Sequence, residues 1–443
     1  MKHISSKISL LLMCFMLVGA TAYAETYKGA VKKPAKKAEL ERCRRGQGSA
    51  ELSINNVRAR INTSGNMWYD GSTARYFVPK DGNSTAMFCA ALWIGGQDAN
   101  LQLRVAALKF GQDGDDFWPG PLTVDANASV DKAVCEQWDK HFKITKAEVE
   151  YFVDGFEYQG GTFVGVDASR ATEAIKTWPA HGDVSKNQSK FMAPFFDRNG
   201  DGVYSWEDGD YPYYDLSGEL CPAKQKEQWA ELGLPFIPTP TMESDTTNPN
   251  YGTGGVVKAY GGLLVDQVLK GDETIWWVFN DKGNAHTESG SENPIGLEIR
   301  AQAFAFAMND EINNMTFYSY EIINRSTFTL TNTYFSQWVD PDLGYAHDDY
   351  VGCDVERGLG YCYNGKATDG PGTGSYSGNP PAIGIDFFQG PYMDPDGRDN
   401  PKVDNIKVAD IYGEAALDPY RNEDSTVNHV LLTEDAHKFK DCW

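Results

Sequence analysis

The sequence lacks the short motifs that mark common catalytic sites. It contains neither His-Glu-x-x-His nor Gly-x-Ser-x-Gly, so the motifs of these zinc peptidases and serine hydrolases are absent. No Cys-x-x-Cys pair occurs, which excludes a zinc ribbon on spacing. The chain has 7 histidines, and none of those after residue 24 has metal-binding spacing with another. A glycosidase pair cannot be singled out among 62 acidic residues, so enzymatic activity is not predicted.

Long apolar runs are missing after residue 24, so no later segment is predicted to span a membrane. Residues 1–24 have the pattern of a secretory signal peptide. Lys2 and Lys7 precede an apolar core at residues 8–20, and Ala22 and Ala24 form a small-x-small cleavage site. Cys14 lies inside that core, which disfavours a lipoprotein anchor. We therefore expect an extracellular or outer-surface protein, cleaved near Ala24.

Positive charge is scarce, since 40 Lys and Arg against 62 Asp and Glu give a net charge of −22. Residues 25–45 are the exception, with eight basic and three acidic side chains and no apolar period. We predict a basic, disordered leader over residues 25–50, with a cell-surface contact as the alternative. The acidic remainder disfavours nucleic acid and anionic membranes as partners. Cell-surface components and polysaccharide remain as candidate partners, and no oligomeric state is predicted.

Seven of the 8 cysteines remain after removal of a signal peptide, and an exported protein permits disulfides. Cys353 and Cys362 flank a glycine-containing turn and are the preferred pair. The odd number leaves at least one thiol free or paired between chains. The seven are Cys43, Cys89, Cys135, Cys221, Cys353, Cys362 and Cys442.

Hydrophobic alternation predicts a mainly β protein. The fold class that we predict is one or more antiparallel β-sandwich-like modules with a minor helical segment and an isolated EF-hand-like calcium loop. Residues 128–152 are closer to helical spacing than to strand spacing. Strands are predicted at residues 51–65, 75–79, 87–94, 101–110, 274–279, 297–308, 315–324 and 329–339.

Turn-rich and proline-rich stretches divide the chain into two predicted modules. Residues 51–215 form an N-terminal β-rich module that contains the helical segment and the calcium loop. Residues 216–255 contain five prolines and are predicted to form a connection. Residues 256–443 form an aromatic-rich β-sandwich module. Its core is predicted from Trp276, Trp277, Phe304, Phe306, Phe317, Tyr334 and Trp338.

Residues 197–208 fit a twelve-residue calcium loop. Gly202 stands at position 6, where the backbone must turn sharply, and the flanking positions supply oxygen ligands. The following Gly209 and Pro212 do not continue as a helix, so we predict an isolated loop rather than a paired EF-hand. A solvated Asp/Gly turn is the alternative. The predicted ligands are Asp197, Asn199, Asp201, the carbonyl of Val203, Ser205 and Asp208.

Three other acidic clusters place several carboxylates within a turn. The largest is predicted as a second calcium site and consists of Asp340, Asp342, Asp348, Asp349 and Asp354. The other two are interpreted as solvated turns. They consist of Asp113, Asp115 and Asp116, and of Asp394, Asp396 and Asp399.

Whole phrases of the sequence, such as Arg58-Ala-Arg-Ile-Asn-Thr-Ser-Gly-Asn-Met-Trp-Tyr-Asp, resemble large exported proteins of the Bacteroidota. Further phrases are residues 88–96, 116–121, 197–212, 315–326, 338–354 and 386–391. Many such proteins are substrates of the type IX secretion system. The resemblance implies an outer-surface or released protein and supplies no catalytic residues. Such proteins usually continue into a C-terminal sorting domain. None is recognisable before Trp443, so a fragment and a different export route both stay open.

Three functional hypotheses follow. The first is an exported, calcium-binding structural or adhesive surface protein without catalytic activity. The second is a polysaccharide-binding or polysaccharide-degrading protein, with Trp276, Trp277 or Trp338 as a stacking surface for sugar rings. The third is a surface-assembly subunit joined through an unpaired cysteine or an exposed sheet edge.

Overall fold

The computed structural model describes residues 42–111, 114–199, 201–216, 268–291, 293–388 and 415–417. The predicted signal peptide, residues 25–41 of the basic leader and all of the 216–255 connection except Leu216 lie outside these residues. The chain divides into two compact units, Met1–Arg42 and Cys43–Trp443. Everything described below belongs to the second unit. In the described part of the chain, no helix is long and apolar enough to cross a membrane.

The protein is mainly β, as predicted. Three short helices are described, namely α1 (Lys132–Gln137), α2 (Lys146–Val153) and α3 (Glu173–Lys176). The described strands are β1 (Ser49–Leu52), β2 (Arg58–Asn62), β3 (Asn66–Met67), β4 (Tyr69–Asp70), β5 (Thr73–Ala74), β6 (Tyr76–Phe77), β7 (Thr85–Met87), β8 (Cys89–Gln97), β9 (Leu103–Ala107), β10 (Trp118–Pro119), β11 (Phe142–Thr145), β12 (Phe156–Gln159), β13 (Thr162–Val166), β14 (Phe195–Phe196), β15 (Tyr211–Pro212), β16 (Glu273–Asn280), β17 (Leu297–Ala305), β18 (Phe317–Asn324), β19 (Thr331–Asp340), β20 (Asp349–Asp354), β21 (Leu359–Asn364) and β22 (Ala382–Asp386).

Two antiparallel sheets form the centre of the fold. The larger sheet has the order β19-β8-β3-β2-β6-β7, with β1 beside β2 and β9 beside β8. The second sheet has the order β10-β16-β17-β18, with β11 beside β16. Apolar side chains from both sheets, such as Ile61, Ala91 and Trp277, fill one shared core. The architecture is therefore a β-sandwich, which a three-stranded sheet β20-β21-β22 extends.

Strand β16 is buried along its whole length because it separates two cores. Side chains alternate between the faces of a strand, so Ile275, Trp277 and Phe279 point into the sandwich. Trp276 and Val278 point to the other side, into a core shared with α2, α3 and the loops around residues 178–214. This double burial accounts for two adjacent tryptophans, which would be unusual on a half-exposed strand.

Strands from both predicted modules share each sheet. β8 pairs with β19, with Cys89 opposite Asp340, and β11 pairs with β16, with Phe142 opposite Trp276. The larger sheet thus joins residues more than 230 positions apart, for example through the hydrogen bond from Thr331 Oγ1 to the Gln97 carbonyl at 3.4 Å.

The helical prediction over residues 128–152 is wrong in its middle. Asp131 caps α1 by accepting a hydrogen bond from the Val134 amide at 2.8 Å, and α1 ends at Gln137. Residues Phe142 and Ile144, which were predicted to be helical, lie in β11 and pair with β16. Thr145 then caps α2 through a reciprocal box with Glu148. Two helices that flank a strand therefore produced the apparent helical period.

The predicted disulfide between Cys353 and Cys362 is also wrong. Cys353 lies opposite Gly360 and Cys362 opposite Val351, so the two sulfurs occupy diagonal positions. Diagonal neighbours are about 7–8 Å apart, which exceeds what a disulfide spans. Both cysteines are free, and Cys43 is instead bonded to Cys135 on α1.

Candidate functional site

The backbone of the 197–208 loop turns around its predicted ligands. Asp197 Oδ2 accepts a hydrogen bond from the Gly202 amide at 2.7 Å. Gly202 has a φ of +71°, a left-handed conformation that glycine adopts at little cost. Asn199 Oδ1 accepts from the Asp201 amide at 2.9 Å, and Asp201 Oδ1 accepts from the Val203 amide at 2.7 Å. The side chains at positions 1, 3 and 5 therefore fold back onto the loop.

The exit of the loop is a single 3₁₀ turn, Trp206–Asp208. Ser205 begins this turn, and its hydroxyl accepts a hydrogen bond from the Asp208 amide at 3.3 Å. Gly209, with a φ of +89°, ends it. Ser205 and Asp208, at loop positions 9 and 12, are thus connected directly.

Asp210, which was not among the predicted ligands, ties the two ends of the loop together. Its side chain is buried and accepts hydrogen bonds from the Arg198 amide at 2.8 Å and the Ser205 amide at 2.9 Å. Burial raises the pKa of Asp210 to about 6, and the nearby charges of Asp197 and Asp201 add to the rise. Three carboxylates therefore share one small region. The only signal in the sequence was an acidic residue two positions beyond the twelve-residue frame.

Two further side chains fix the loop to the helical core. His181 Nε2 accepts a hydrogen bond from the Tyr204 amide at 2.8 Å, while Nδ1 lies 2.8 Å from the Lys190 carbonyl. The ring is therefore neutral with its proton on Nδ1, and burial lowers the pKa of His181 in agreement with this. The Arg198 guanidinium lies 4.5 Å from the ring centroids of both Phe156 and Phe163.

The donor set of this loop consists of carboxylate, amide, hydroxyl and carbonyl oxygens, which suit a hard cation such as Ca²⁺. Each carboxylate oxygen has two lone pairs, so Asp197 and Asp201 can accept a loop N–H and still ligate a cation. Among the described residues, no group of three or more His, Cys, Asp or Glu side chains is placed to hold a metal ion. The non-carboxylate oxygens of Asn199, Val203 and Ser205 would have to complete a coordination shell.

The second predicted site brings three of its five aspartates together. Asp340 ends β19, Asp349 begins β20, and Asp342 lies in the connection between them. Burial raises the pKa of Asp342 to about 6, and the charges of Asp340 and Asp349 contribute. Asp349 Oδ2 accepts a hydrogen bond from the Leu343 amide at 2.9 Å, whereas Asp349 Oδ1 is buried without a partner. Asp349 therefore has an unsatisfied carboxylate oxygen in a region that also contains the carboxylates of Asp340 and Asp342.

The other two aspartates of this prediction differ. Asp348 accepts a hydrogen bond from Asn364 Nδ2 at 3.1 Å and stays beside the cluster. Asp354 lies at the opposite end of β20 and forms an ion pair with Arg357, so it does not join the cluster. Asp369, which was not among the predicted ligands, lies in a later turn and accepts a hydrogen bond from the Tyr345 amide at 3.0 Å.

Asp116, interpreted as part of a solvated turn, is fully buried. Its carboxylate accepts hydrogen bonds from the amides of Ala107 at 3.0 Å, Thr287 at 3.1 Å and Glu288 at 3.0 Å. The interpretation is wrong because Asp116 joins β9 to the 281–289 turn. Asp115 is partly buried and forms an ion pair with Arg45. Asp113 and the cluster of Asp394, Asp396 and Asp399 lie outside the described residues.

Asp116 borders a buried histidine. His286 Nδ1 lies 2.7 Å from the Val105 carbonyl, and His286 Nε2 lies 2.6 Å from the Asp281 carbonyl. Carbonyl oxygens only accept, so both ring nitrogens must carry protons and the ring is an imidazolium. Burial alone would lower the pKa of His286, but Asp281 and Asp116 outweigh it and raise this pKa above its ordinary value. The side chain is inaccessible and therefore structural.

The tryptophans predicted as a sugar-stacking surface do not form one. Trp276 and Trp277 are 2% and 0% exposed, so that prediction is wrong for both. Trp338 is partly buried and stacks on Trp93, with ring centroids 5.9 Å apart. Tyr334, predicted in the core, is 73% exposed on β19, so that prediction is wrong as well.

The fold and these sites were compared with known proteins. No family model, no curated protein and no solved structure matches this chain.

Proposed function

We propose that this chain is an exported, calcium-stabilised structural or adhesive protein of the cell surface, without catalytic activity. The observation that supports this most is the 197–210 loop. An oxygen-rich twelve-residue sequence there coincides with a backbone bent by Gly202 and tied by Asp210. Calcium at this loop would offset the repulsion among Asp197, Asp201 and Asp210 and would stabilise the adjoining helical core.

The cluster at Asp340, Asp342 and Asp349 supports a second cation. None of these three carboxylates forms an ion pair with Lys or Arg among the residues that the structure describes. Asp349 Oδ1 is buried and unpartnered, which is costly unless a cation or water satisfies it. A calcium ion in contact with Asp349 would remove that cost and fix the connection between the sandwich and the three-stranded sheet.

The bond between Cys43 and Cys135 supports export, because disulfides form and persist in oxidising compartments. This agrees with the signal-peptide pattern of residues 1–24. Extracellular calcium sites bind at roughly 10⁻⁴–10⁻³ M. We therefore infer that calcium is held constantly outside the cell and acts as a structural element rather than as a signal.

Calcium titration of the metal-free, full-length chain tests the proposal. We expect calcium to raise the free energy of unfolding by about 2.7 kcal/mol at a concentration 100 times the dissociation constant. Asp201→Asn should remove the part that belongs to the loop, and Asp349→Asn the part that belongs to the second cluster. Asp167→Asn, at an exposed turn, is the matched control and should leave the calcium effect intact. Identical unfolding in calcium and in chelator would refute the proposal.

A further inference from the structure

The three-stranded sheet β20-β21-β22 has one face packed on the sandwich and one face open to solvent. Cys362, Ile383 and Ile385 belong to the packed face and contact the main core. The strand register places Tyr350 opposite Tyr363, and Tyr361 opposite Gly352, on the other face. Outward faces of antiparallel sheets are normally polar. This one carries three tyrosines instead.

The three rings form a continuous surface, which we call the tyrosine platform (Tyr350, Tyr361 and Tyr363). The rings of Tyr350 and Tyr363 have centroids 5.9 Å apart and an interplanar angle of 22°. The rings of Tyr361 and Tyr363 are 6.3 Å apart at 30°. The exposed fractions are 60% for Tyr350, 38% for Tyr361 and 45% for Tyr363. The platform is therefore both ordered by ring contacts and accessible.

Small residues allow the rings to lie flat. A Cβ atom on Gly352 would lie 2.5 Å from Tyr361 Cζ, so the Tyr361 ring lies across the bare backbone of Gly352. The Tyr350 ring lies in the same way against Gly365. On β22, Gly384 lies opposite Tyr361 and Ala382 lies opposite Tyr363. Two of the three rings therefore lie directly against glycine backbone.

We propose that the tyrosine platform binds a neutral glycan chain by stacking pyranose rings on the exposed tyrosines. The faces of a pyranose ring present weakly positive C–H groups, which the negative faces of aromatic rings attract. In the described part of the chain, the three tyrosine hydroxyls have no hydrogen-bond partner, so they can bond to sugar hydroxyls. Asp386 lies on the same face, opposite Leu359, and adds a carboxylate acceptor at one end.

Shape and charge favour this occupant over a protein partner. The Tyr361 and Tyr350 rings lie against the backbone of Gly352 and Gly365, an arrangement that suits the face of a sugar ring better than side chains that interdigitate. The net charge of −22 repels anionic chains, and no Lys or Arg in the described part of the chain lies over these rings, so a neutral glycan is the preferred class. This inference gives the adhesive part of the proposed function a ligand class. It concerns a different site from the calcium loop.

Isothermal titration of the full chain in calcium-containing buffer tests the proposal with cellohexaose, xylohexaose and mannohexaose as neutral probes and a hexagalacturonate as the anionic probe. We expect at least one neutral probe to bind more tightly than about 1 mM, and the anionic probe not to bind. Tyr363→Ala and Tyr361→Ala should each weaken binding about three- to tenfold, and the triple alanine variant should abolish it. Tyr363→Phe, which keeps the ring, should retain most of the affinity.

Tyr334→Ala is the matched control, because it removes an even more exposed tyrosine from another sheet. Each variant is checked for an unchanged unfolding temperature. The proposal is overturned if no neutral probe binds, or if the alanine variants bind as tightly as the unmodified chain. It is also overturned if Tyr363→Ala converts a dimer into a monomer, since a second copy would then cover the platform. Failure of calcium to stabilise the protein would leave these outcomes unchanged and would refute only the proposed function.

Discussion

His286 Nε2 lies 3.4 Å from Asp281 Oδ2, and neither side chain is exposed to solvent. Asp281 also accepts hydrogen bonds from the backbone amides of Gly296 at 2.8 Å and Leu297 at 2.6 Å. One carboxylate thus joins the histidine to the beginning of β17. Asp116 plays the same part on the other side, where it joins β9 to the turn that carries His286. The charged ring is therefore a link between the two sheets of the sandwich.

We expect His286→Gln to lower the free energy of unfolding by about 3–5 kcal/mol, because it leaves two buried carboxylates without their cation. Urea unfolding monitored by tryptophan fluorescence would measure this. His347→Gln is the matched control, since His347 is exposed, and should change stability by less than about 0.5 kcal/mol. A His286→Gln variant as stable as the unmodified chain would contradict the imidazolium assignment.

The same residue predicts a direction for the pH dependence. The pKa of His286 is raised in the folded state above its ordinary value of 6.5. Its stabilising contribution is therefore complete below about pH 6.5 and is lost as the pH rises through the folded-state pKa. Unfolding at a series of pH values from 6 to 9 should show this decline in the unmodified chain and a smaller one in His286→Gln. Equal slopes would exclude His286 as the source.

Reduction of the Cys43–Cys135 bond is expected to cost about 2–5 kcal/mol, as is usual for a native disulfide. The double variant Cys43→Ser, Cys135→Ser should reproduce the loss and should no longer respond to a reductant. Cys353→Ser, at an exposed free thiol, serves as the control and should unfold like the unmodified chain. If reductant destabilised the double serine variant as much as the unmodified chain, another disulfide would have to be responsible.

Trp277→Ala should destabilise the protein by about 3–5 kcal/mol, because a fully buried indole is lost from the centre of the sandwich. Tyr334→Ala also removes an aromatic ring, but from an exposed position on β19, and should cost less than about 0.5 kcal/mol. Chemical unfolding of the two variants side by side measures the difference. A similar loss of stability in both variants would mean that Trp277 on β16 is not part of a packed core.

Arg198→Ala tests how the 197–210 loop is anchored. The substitution removes a cation that lies 4.5 Å from two phenylalanine rings and should cost about 1–2 kcal/mol. It keeps every predicted calcium ligand, so the calcium affinity should fall only as far as the loop loosens. Arg170→Ala, at another arginine that lies over an aromatic ring, is the control for lost surface packing. The Arg198 amide donates a hydrogen bond to Asp210, so hydrogen exchange at this amide would report the loosening directly.

The strand pattern was readable in the sequence because period-two alternation is strong where a strand is half-buried or lies between two layers. Hydrophobic alternation predicted a strand at residues 297–308, and Ala301, Ala303 and Ala305 are indeed fully buried in β17. Local alternation cannot specify which strands pair. The pairing of β8 with β19 depends on contacts across more than 200 residues, and no local signal records it.

The candidate sites were only partly predictable for a similar reason. The calcium frame specified Asp197 to Asp208, but Asp210 acts through backbone amides that only the folded loop brings near it. The sequence around Asp116 is typical of a surface turn, and only the fold brings three backbone amides within hydrogen-bond distance of its carboxylate. The tyrosine platform was overlooked because the sequence does not show which face of β21 is turned outward. The tryptophans that were predicted to stack on sugars have structural roles instead, since Trp276 and Trp277 are buried and Trp338 packs on Trp93.

The position of β16 between two cores has a consequence for the order in which the chain can fold. Both β11 on the helical side and the inner face of the larger sheet need β16 before they can bury their apolar side chains. β11 is synthesised first, and β16, with which it pairs, is synthesised more than a hundred residues later. No stable sandwich can form on a nascent chain of 200 residues. The sandwich can therefore close only after β16, which ends at Asn280, has been synthesised.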